Sequence, residues 1–225
     1  MMRDLSSWNL LKWVWLGKTM TRAMLNIRLS AIPPLRGVTL DLGGGAGASY
    51  KGLVTINGMF VNMDARVEAR PTVVGDLEAT FPFKSESADA VLLFNTLEHV
   101  FGYQHVVSEM CRVLKKGGQA FIYTPFIFPI HTHQTEKFFV DDYFRYTDST
   151  LRNVFSTAGF SRVEIQAQGG LFIVIAEFLG FAVKFGPVRL IAAAWCLVLE
   201  KIYRYLRPGA SAERYPLAYF VVATK

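Results

Sequence analysis

The chain has 225 residues, 52% of them apolar, and 24 Lys/Arg against 18 Asp/Glu for a net charge of +6. That length suits one α/β domain with a full core and some additions. The basic excess sits at the two ends: residues 1–36 hold six bases and one acid, 37–179 eleven and fifteen, 180–225 seven and two. These bases lie beside Trp, Leu and Phe rather than among polar, hydrogen-bonding residues, which argues against a nucleic-acid partner and for an anionic membrane surface. Cys111 and Cys196 lie far apart with no metal-ligand spacing and read as buried free thiols in a reducing compartment.

In chain order, Leu5 to Leu29 reads as an amphipathic helix. Trp8, Leu10, Leu11, Val14 and Trp15 lie on one side, with Lys12, Lys18, Arg22 and Arg28 largely elsewhere. Pro33-Pro34 ends it. The bases interrupt every apolar run and no small-residue cleavage site follows, so no signal peptide is expected. Strands are predicted at Val38–Leu42, about Met59–Met63, Thr72–Val74, Ala90–Phe94, Ala120–Tyr123, Val163–Gln168 and Leu217–Thr224. A short helix is expected after the glycines that follow Leu42. Another is expected from about His105 to Leu114, stopping at Lys115-Lys116-Gly117-Gly118. A third, capped by Asp148 or Ser149, runs to Ala158 and ends at Gly159. Alternating strands and helices imply an α/β fold, a doubly wound and mostly parallel seven-stranded sheet. Only about seven residues join Asp64 to the third strand, too few for a normal crossover helix.

Ligands of such sheets bind beyond the carboxyl ends of the strands, where strand order reverses. After the first strand comes Asp41-Leu42-Gly43-Gly44-Gly45-Ala46-Gly47, whose glycines Gly43, Gly45 and Gly47 permit φ > 0 and close ligand approach. Asp64, at the end of the second strand, is spaced to accept hydrogen bonds from both hydroxyls of a ribose. After the third, Asp76 can accept from an adenine amino group while Leu77 packs on the ring. After the fourth come Asn95 and Leu97-Glu98-His99-Val100. The turn is not the Gly-x-Gly-x-x-Gly of a pyrophosphate site. Asp41 would repel a phosphate and suits an ammonium or sulfonium.

These segments, with Gly75-Asp76-Leu77, Phe81-Pro82-Phe83, Asp89-Ala90-Val91 and Arg112-Val113-Leu114-Lys115-Lys116-Gly117-Gly118, resemble the class I S-adenosylmethionine-dependent methyltransferases of the type 11 kind over about residues 37–168 and the last strand. The resemblance implies that the Gly43–Gly47 turn cradles the methionine part of S-adenosylmethionine, that Asp64 holds the ribose, that Asp76 and Leu77 contact adenine, and that Asn95 lines the pocket near the sulfonium. Gly44 stands where the family commonly has cysteine, a change expected to be harmless.

Methyl transfer needs alignment of nucleophile, methyl and sulfur, and a hydroxyl acceptor also needs a base. His99, His131 and His133 are the candidate catalytic residues, with Glu98 beside them. The plainer reading is that Glu98-His99 caps the following helix and packs against the loop after the fifth strand. No metal site is assigned; two histidines at 131 and 133 with Asp141 or Asp142 are the alternative. Arg145, in Asp142-Tyr143-Phe144-Arg145-Tyr146-Thr147, is expected to clamp its loop.

The chain divides on this reading into an N-terminal helix (1–36), a methyltransferase core (37–168 and 217–225) and an apolar, basic helical insertion (169–216). Leu171–Val183 and Val188–Leu199 are apolar, interrupted at Lys184-Phe185-Gly186-Pro187, and neither reaches the length of a membrane span. Two helices lying in one leaflet are expected, with 1–30 and 171–206 as peripheral membrane contacts; buried helices or a homodimer interface are the alternative. The Pro125-Phe126…His131 and 142–147 pattern is similar to methyltransferases of surface-polysaccharide or lipid-linked sugar assembly. The function expected is therefore O-methylation of an amphiphilic or lipid-linked acceptor at the cytoplasmic face of a membrane. A soluble small-molecule methyltransferase and a non-catalytic cofactor-binding scaffold are the rivals.

Overall fold

The computed structural model describes residues 7–44, 50–134, 139–207 and 212–225, and only the backbone of 133, 134, 139 and 140. A seven-stranded sheet is built from β1 (Leu35–Leu42), β2 (Ile56–Asp64), β3 (Val73–Val74), β4 (Ala88–Phe94), β5 (Leu114–Pro125), β8 (Arg162–Gly169) and β9 (Pro216–Thr224); β6 (His133–Gln134) and β7 (Phe139–Val140) form a separate antiparallel pair. The sheet order is β3-β2-β1-β4-β5-β9-β8. The pairs β1·β2, β1·β4, β2·β3 and β4·β5 are parallel. The last strand is antiparallel to β5: Gly117 N donates to Lys225 O at 2.9 Å and Phe126 N to Leu217 O at 2.9 Å. The predicted α/β sheet is present, with every strand but β3 somewhat longer than expected and β3 reduced to two residues.

Two compact units are distinguished. The larger comprises residues 32–125, 129–166 and 219–225. In it β4 is a nearly continuous buried apolar run, and β1 is buried from Thr39 to Leu42, as parallel strands covered on both faces require. Between β2 and β3 stands only a 3₁₀ turn, Val67–Ala69, so the expected missing crossover helix is indeed missing. Asn62 Oδ1 staples this short link by accepting from Thr72 N at 2.9 Å and Thr72 Oγ1 at 2.6 Å. Helix α3 (Tyr103–Val113) passes directly into β5. The register jumps from Ala88↔Leu114 to Ala90↔Gln119, so Lys115–Gly118 forms a bulge inside the strand rather than a loop before it, with Gly117 at φ +79°. Arg112, from the same motif, grips Glu109 (2.6 and 2.7 Å) and the carbonyls of Phe81 (3.1 Å) and Phe83 (2.9 Å), which pins the Phe81-Pro82-Phe83 segment to α3. Helix α4 (Asp148–Thr157) is capped by Thr147, not by Asp148 or Ser149: Thr147 Oγ1 accepts from Thr150 N at 3.2 Å. Gly159, at φ +98°, follows its end. The short helix expected after the glycines falls partly outside the described residues, and residues 50–53 form turns rather than helix.

The smaller unit comprises residues 1–31, described from Ser7, with 126–128 and 167–218. The predicted single N-terminal helix is two, α1 (Ser7–Trp15) and α2 (Met20–Leu29), broken at Gly17 (φ +81°) and restarted by Thr19, whose side chain accepts from Arg22 N. Helices α5 (Leu171–Ala182) and α6 (Gly186–Leu206) follow, α6 opening on Pro187. The four helices share one core containing Leu10, Val14, Met24, Ile27, Ile173, Cys196 and Leu197. Trp8 and Trp15, seven apart and thus on one face of α1, are 77% and 67% exposed rather than joining Leu10 and Val14.

Two carboxylates inside this unit serve helix ends. Glu177 of α5 accepts from Met20 N (2.6 Å), Thr21 N (3.3 Å) and Thr21 Oγ1 (2.8 Å), closing the amino end of α2. Glu200 of α6 accepts from Phe172 N at 2.9 Å at the start of α5, and from Arg204 Nε at 2.7 Å. Its Oε1 would lie 2.0 Å from a Cβ at position 170, which explains the glycine there.

Candidate functional site

All the strand ends singled out from sequence fall on four neighbouring strands, β3-β2-β1-β4, and chain order reverses at β1, where such folds bind ligands. Asp41, near the carboxyl end of β1, is fully buried. The Tyr50 hydroxyl donates to its Oδ1 at 2.6 Å, and its Oδ2 has no hydrogen-bond partner among the described residues. Burial pushes the Asp41 carboxyl up to about 6, against the lowering effects of Tyr50 and Lys51; Asp64 adds to the rise. Tyr50 is held edge-to-face on Phe94, ring centroids 5.1 Å apart. It was not among the sequence candidates, because nothing local distinguishes it.

Gly43 stands at φ +78°, donates its N–H to Met63 O at 2.8 Å, and faces Thr96 so closely that a Cβ would lie 2.6 Å from Thr96 Cγ2. A Cβ on Gly44 would meet Asp41 Oδ2 and the Tyr50 hydroxyl at 2.2 Å. In this chain, then, a side chain at 44 is not a harmless variation, because Asp41 and Tyr50 fill its place. Gly45 and Gly47 lie outside the described residues.

Asp64, at the end of β2, is buried. Its Oδ1 accepts from Arg66 N (2.9 Å) and Arg66 Nε (3.0 Å), and its Oδ2 from Arg66 Nη2 (3.0 Å). Asp76 follows β3 and accepts from Glu78 N at 2.9 Å, with Leu77 buried beside it. Asn95 follows β4 at φ +50°, its N–H bonded to Tyr123 O at 2.8 Å.

A second group forms just beyond Asn95. The turn Leu97–His99 carries Glu98, fully buried, and His99. The loop after β5 brings His131 to them: His99 Nε2 and His131 Nε2 each lie 4.0 Å from Glu98 Oε1, and the two imidazoles meet edge-to-face at 4.8 Å. His99 Nδ1 is 2.7 Å from Asp141 O, and His131 Nδ1 is 3.1 Å from Asp142 Oδ2. Glu98 Oε1 has no hydrogen-bond partner among the described residues, while Oε2 is 3.5 Å from Thr124 Oγ1. Burial raises Glu98 to about 8, with Asp142 contributing in the same direction.

The surrounding loop is tied down. Tyr143 N and Phe144 N donate to Glu98 O at 2.9 and 3.2 Å, and the Tyr146 hydroxyl donates to Leu97 O at 2.9 Å. Arg145 pairs with both oxygens of Asp142 and reaches Phe144 O (2.9 Å) and Pro129 O (3.2 Å), the clamp expected of it. Burial would raise Asp142, but Arg145 and the His131 N–H outweigh it and hold this carboxyl below the usual carboxylate range. Glu98-His99 packs on the loop as the plainer reading required, yet it does not cap α3. Gly102 stands at that N-cap without a side-chain cap, and its own N–H donates to Glu78 Oε1 at 2.6 Å. The ring of His133 lies outside the described side chains. Asp142 is engaged by Arg145 and His131.

Residues 40–122 match the family model described as a methyltransferase domain. No curated protein matches the sequence. Among solved structures, the chain is similar to one in the complex between the Haloferax volcanii Trm112 methyltransferase activator and the putative methyltransferase, at 19% identity over 97% of this chain and 94% of that one, with a TM-score of 0.60. A Mesorhizobium loti S-adenosylmethionine-dependent methyltransferase is 13% identical over 94% and 100% of the two chains, with a TM-score of 0.55. Haemonchus contortus phosphoethanolamine N-methyltransferase 2, in complex with S-adenosyl-L-methionine, is 16% identical over 99% of this chain and 57% of that one, with a TM-score of 0.55; the chain thus spans little more than half the length of that relative. At these identities the likeness is one of fold. Residues 40–122 thus match a methyltransferase domain, set in a seven-stranded α/β fold shared with S-adenosylmethionine-dependent methyltransferase structures.

Proposed function

We propose that this chain is an S-adenosylmethionine-dependent methyltransferase that works bound to an anionic membrane surface and methylates a hydroxyl of an amphiphilic or lipid-linked acceptor. The observation that carries the membrane reading is the outer face of the smaller unit. On α6, Val188, Ile191, Trp195, Val198, Leu199, Ile202, Tyr205 and Leu206 are all exposed, Trp195 to 63% and Tyr205 to 84%. At about 100° per residue they occupy roughly a third of the helix circumference over a length of about 30 Å. The opposite side carries the buried Ala193, Cys196, Leu197 and Glu200. Exposed Ile175, Phe178 and Leu179 repeat the pattern on α5.

An exposed apolar stripe of this size normally has an occupant. The charge in the same unit selects it: Lys12, Lys18, Lys184, Lys201, Arg204 and Arg207 are exposed, whereas the acids Glu177 and Glu200 are buried as helix-end acceptors. Trp and Tyr with flanking bases suit the headgroup level of an anionic leaflet. No helix among the described residues is long and apolar enough to cross a membrane, consistent with a surface mode.

An adenosyl cofactor with a cationic amine fits the larger unit. Asp41 Oδ2 is a buried acceptor without a partner among the described residues, and Gly43 and Gly44 leave a cradle that a Cβ would fill. On this reading Asp41 faces the amine, Asp64 accepts from the ribose hydroxyls after the Arg66 guanidinium gives way, Asp76 and Leu77 hold adenine, and Asn95 lies near the sulfonium. S-adenosylmethionine supplies the activated methyl group when bound. The chain's own work is to orient it and to accept the acceptor's proton. The group of His99 and His131 beside Glu98 is the candidate for the second task, with His131 oriented by Asp142, which Arg145 holds in turn.

Flotation with vesicles tests the membrane reading. Recovery with vesicles rich in phosphatidylserine, reduced with neutral vesicles and lost in Trp195→Glu with Ile202→Glu, is the expected result. Protein that stays in the bottom fraction with anionic vesicles overturns it. A dimer in light scattering that the same substitutions dissociate would assign the apolar face to a second copy instead.

A further inference from the structure

We infer that Glu98, His99 and His131 form a binding site for one divalent transition-metal ion, with Glu98 Oε1 and the Nε2 atoms of both histidines as ligands. The three candidate ligand atoms lie within 4.8 Å of one another, and each Nε2 is 4.0 Å from Oε1. Three observations point to a cation.

The first is Glu98 itself. It is fully buried, and its Oε1, aimed between the two imidazoles, has no hydrogen-bond partner among the described residues. Such an oxygen is costly to leave unsatisfied. The second is the outer ring of contacts. Asp141 O takes the Nδ1 side of His99 and Asp142 Oδ2 the Nδ1 side of His131, at 2.7 and 3.1 Å. A carbonyl and a carboxylate there favour a proton on each Nδ1 and a lone pair on each Nε2, the arrangement that orients metal-bound histidines. The third is convergence: one 3₁₀ turn and the loop after β5 bring three ligand atoms of different residues to the same place.

Two imidazoles and a carboxylate suit Zn²⁺, Mn²⁺, Fe²⁺ or Co²⁺ rather than Mg²⁺ or Ca²⁺. Bonds of about 2.0–2.1 Å in a tetrahedral site put ligand atoms roughly 3.3 Å apart, so closure on a metal asks for movements of under about 1 Å. Three protein ligands leave a position open. An oxygen ligand there, water or an acceptor hydroxyl, would give its proton to solvent water more easily than it does unbound. This last step rests on the proposed methyl transfer to oxygen; the metal site does not. With a metal bound, the two Nε2 atoms are ligands and not bases.

The test uses the full chain, stripped with a chelator and titrated with Co²⁺ and Zn²⁺. One Co²⁺ per chain with visible d–d absorption, displaced by Zn²⁺, is expected. Glu98→Gln and His131→Asn should each weaken binding at least about tenfold, while His105→Asn, outside the cluster, should not. In the unaltered protein, metal should protect His99 and His131, but not His105, from diethylpyrocarbonate as read by mass spectrometry. Absence of Co²⁺ binding, unchanged binding in the ligand variants, or no protection of these two histidines overturns the site. Binding of S-adenosylmethionine is measured alongside: its failure would remove the cofactor assignments and leave the metal result standing.

Discussion

The Tyr50 hydroxyl and the Asp41 carboxylate are 2.6 Å apart beneath the glycine turn, and the second oxygen of Asp41 faces the place a side chain at position 44 would occupy. On the proposed reading, the oxygen turned toward the turn meets the cofactor's amine. The acid's behaviour with pH follows.

Asp41 has a folded-state value near 6, above the ordinary 3.8. A raised acid favours the protonated form in the folded chain, so its contribution is favourable below about 4 and is lost as pH rises through about 6, a change of up to about 3 kcal/mol. In the ligand-free protein, Asp41→Asn should flatten the fall in thermal stability between pH 4 and 7. Affinity for S-adenosylmethionine should move the other way, rising from pH 5 to 7 as Asp41 ionises opposite the amine. Calorimetry at several pH values checks both, and an affinity that is flat with pH in the unaltered protein rules out the Asp41–amine contact.

Gly44→Cys should destabilise the chain by about 1–3 kcal/mol, because its Cβ needs space held by Asp41 Oδ2 and the Tyr50 hydroxyl. Tyr50→Phe removes one of the two obstructing atoms. The cost of Gly44→Cys should therefore be smaller in the Tyr50→Phe background, a coupling that a double-mutant cycle of denaturation midpoints measures.

Asp64→Ala should weaken S-adenosylmethionine binding roughly 100-fold, through two lost hydrogen bonds to a charged acceptor. Arg66→Ala should leave affinity unchanged or raise it a few-fold, since its guanidinium holds the oxygens the ribose hydroxyls would take. Loss of binding in Arg66→Ala would instead make Arg66 part of the cofactor's grip.

Glu177→Ala should cost about 1–3 kcal/mol, since it strips the amino end of α2 of a buried acceptor bonded to Met20 N, Thr21 N and Thr21 Oγ1. Glu177→Gln should recover part of that loss, because an amide oxygen can still accept. Chemical denaturation of the two variants distinguishes this cap from a carboxylate of no structural consequence.

Much of the candidate site's strand-end edge was legible in residue order. Asp41, Asp64, Asp76 and Asn95 each close or follow an apolar strand, and a strand's carboxyl end is a local pattern that places its last polar residue at the ligand-binding edge. The missing crossover before β3 was legible for the same reason, from chain length alone. Other features depended on distant partners. The break at Gly17 was obscured by apolar periodicity continuing across it, and Thr147 caps α4 one residue ahead of the two candidates.

By itself the sequence determined the α/β core, the order of strand-end residues and the apolar, basic character of the ends, because these follow from periodicity, spacing and composition. Only the tertiary structure decided what those residues meet. It brought His131 and Asp142 to Glu98-His99, set Tyr50 on Asp41, and turned Glu177, the lone charge in an apolar stretch, into a cap for a helix 157 positions away. Each is a contact between elements, and burial and hydrogen bonding across such distances follow from how the chain packs rather than from any local run of residues.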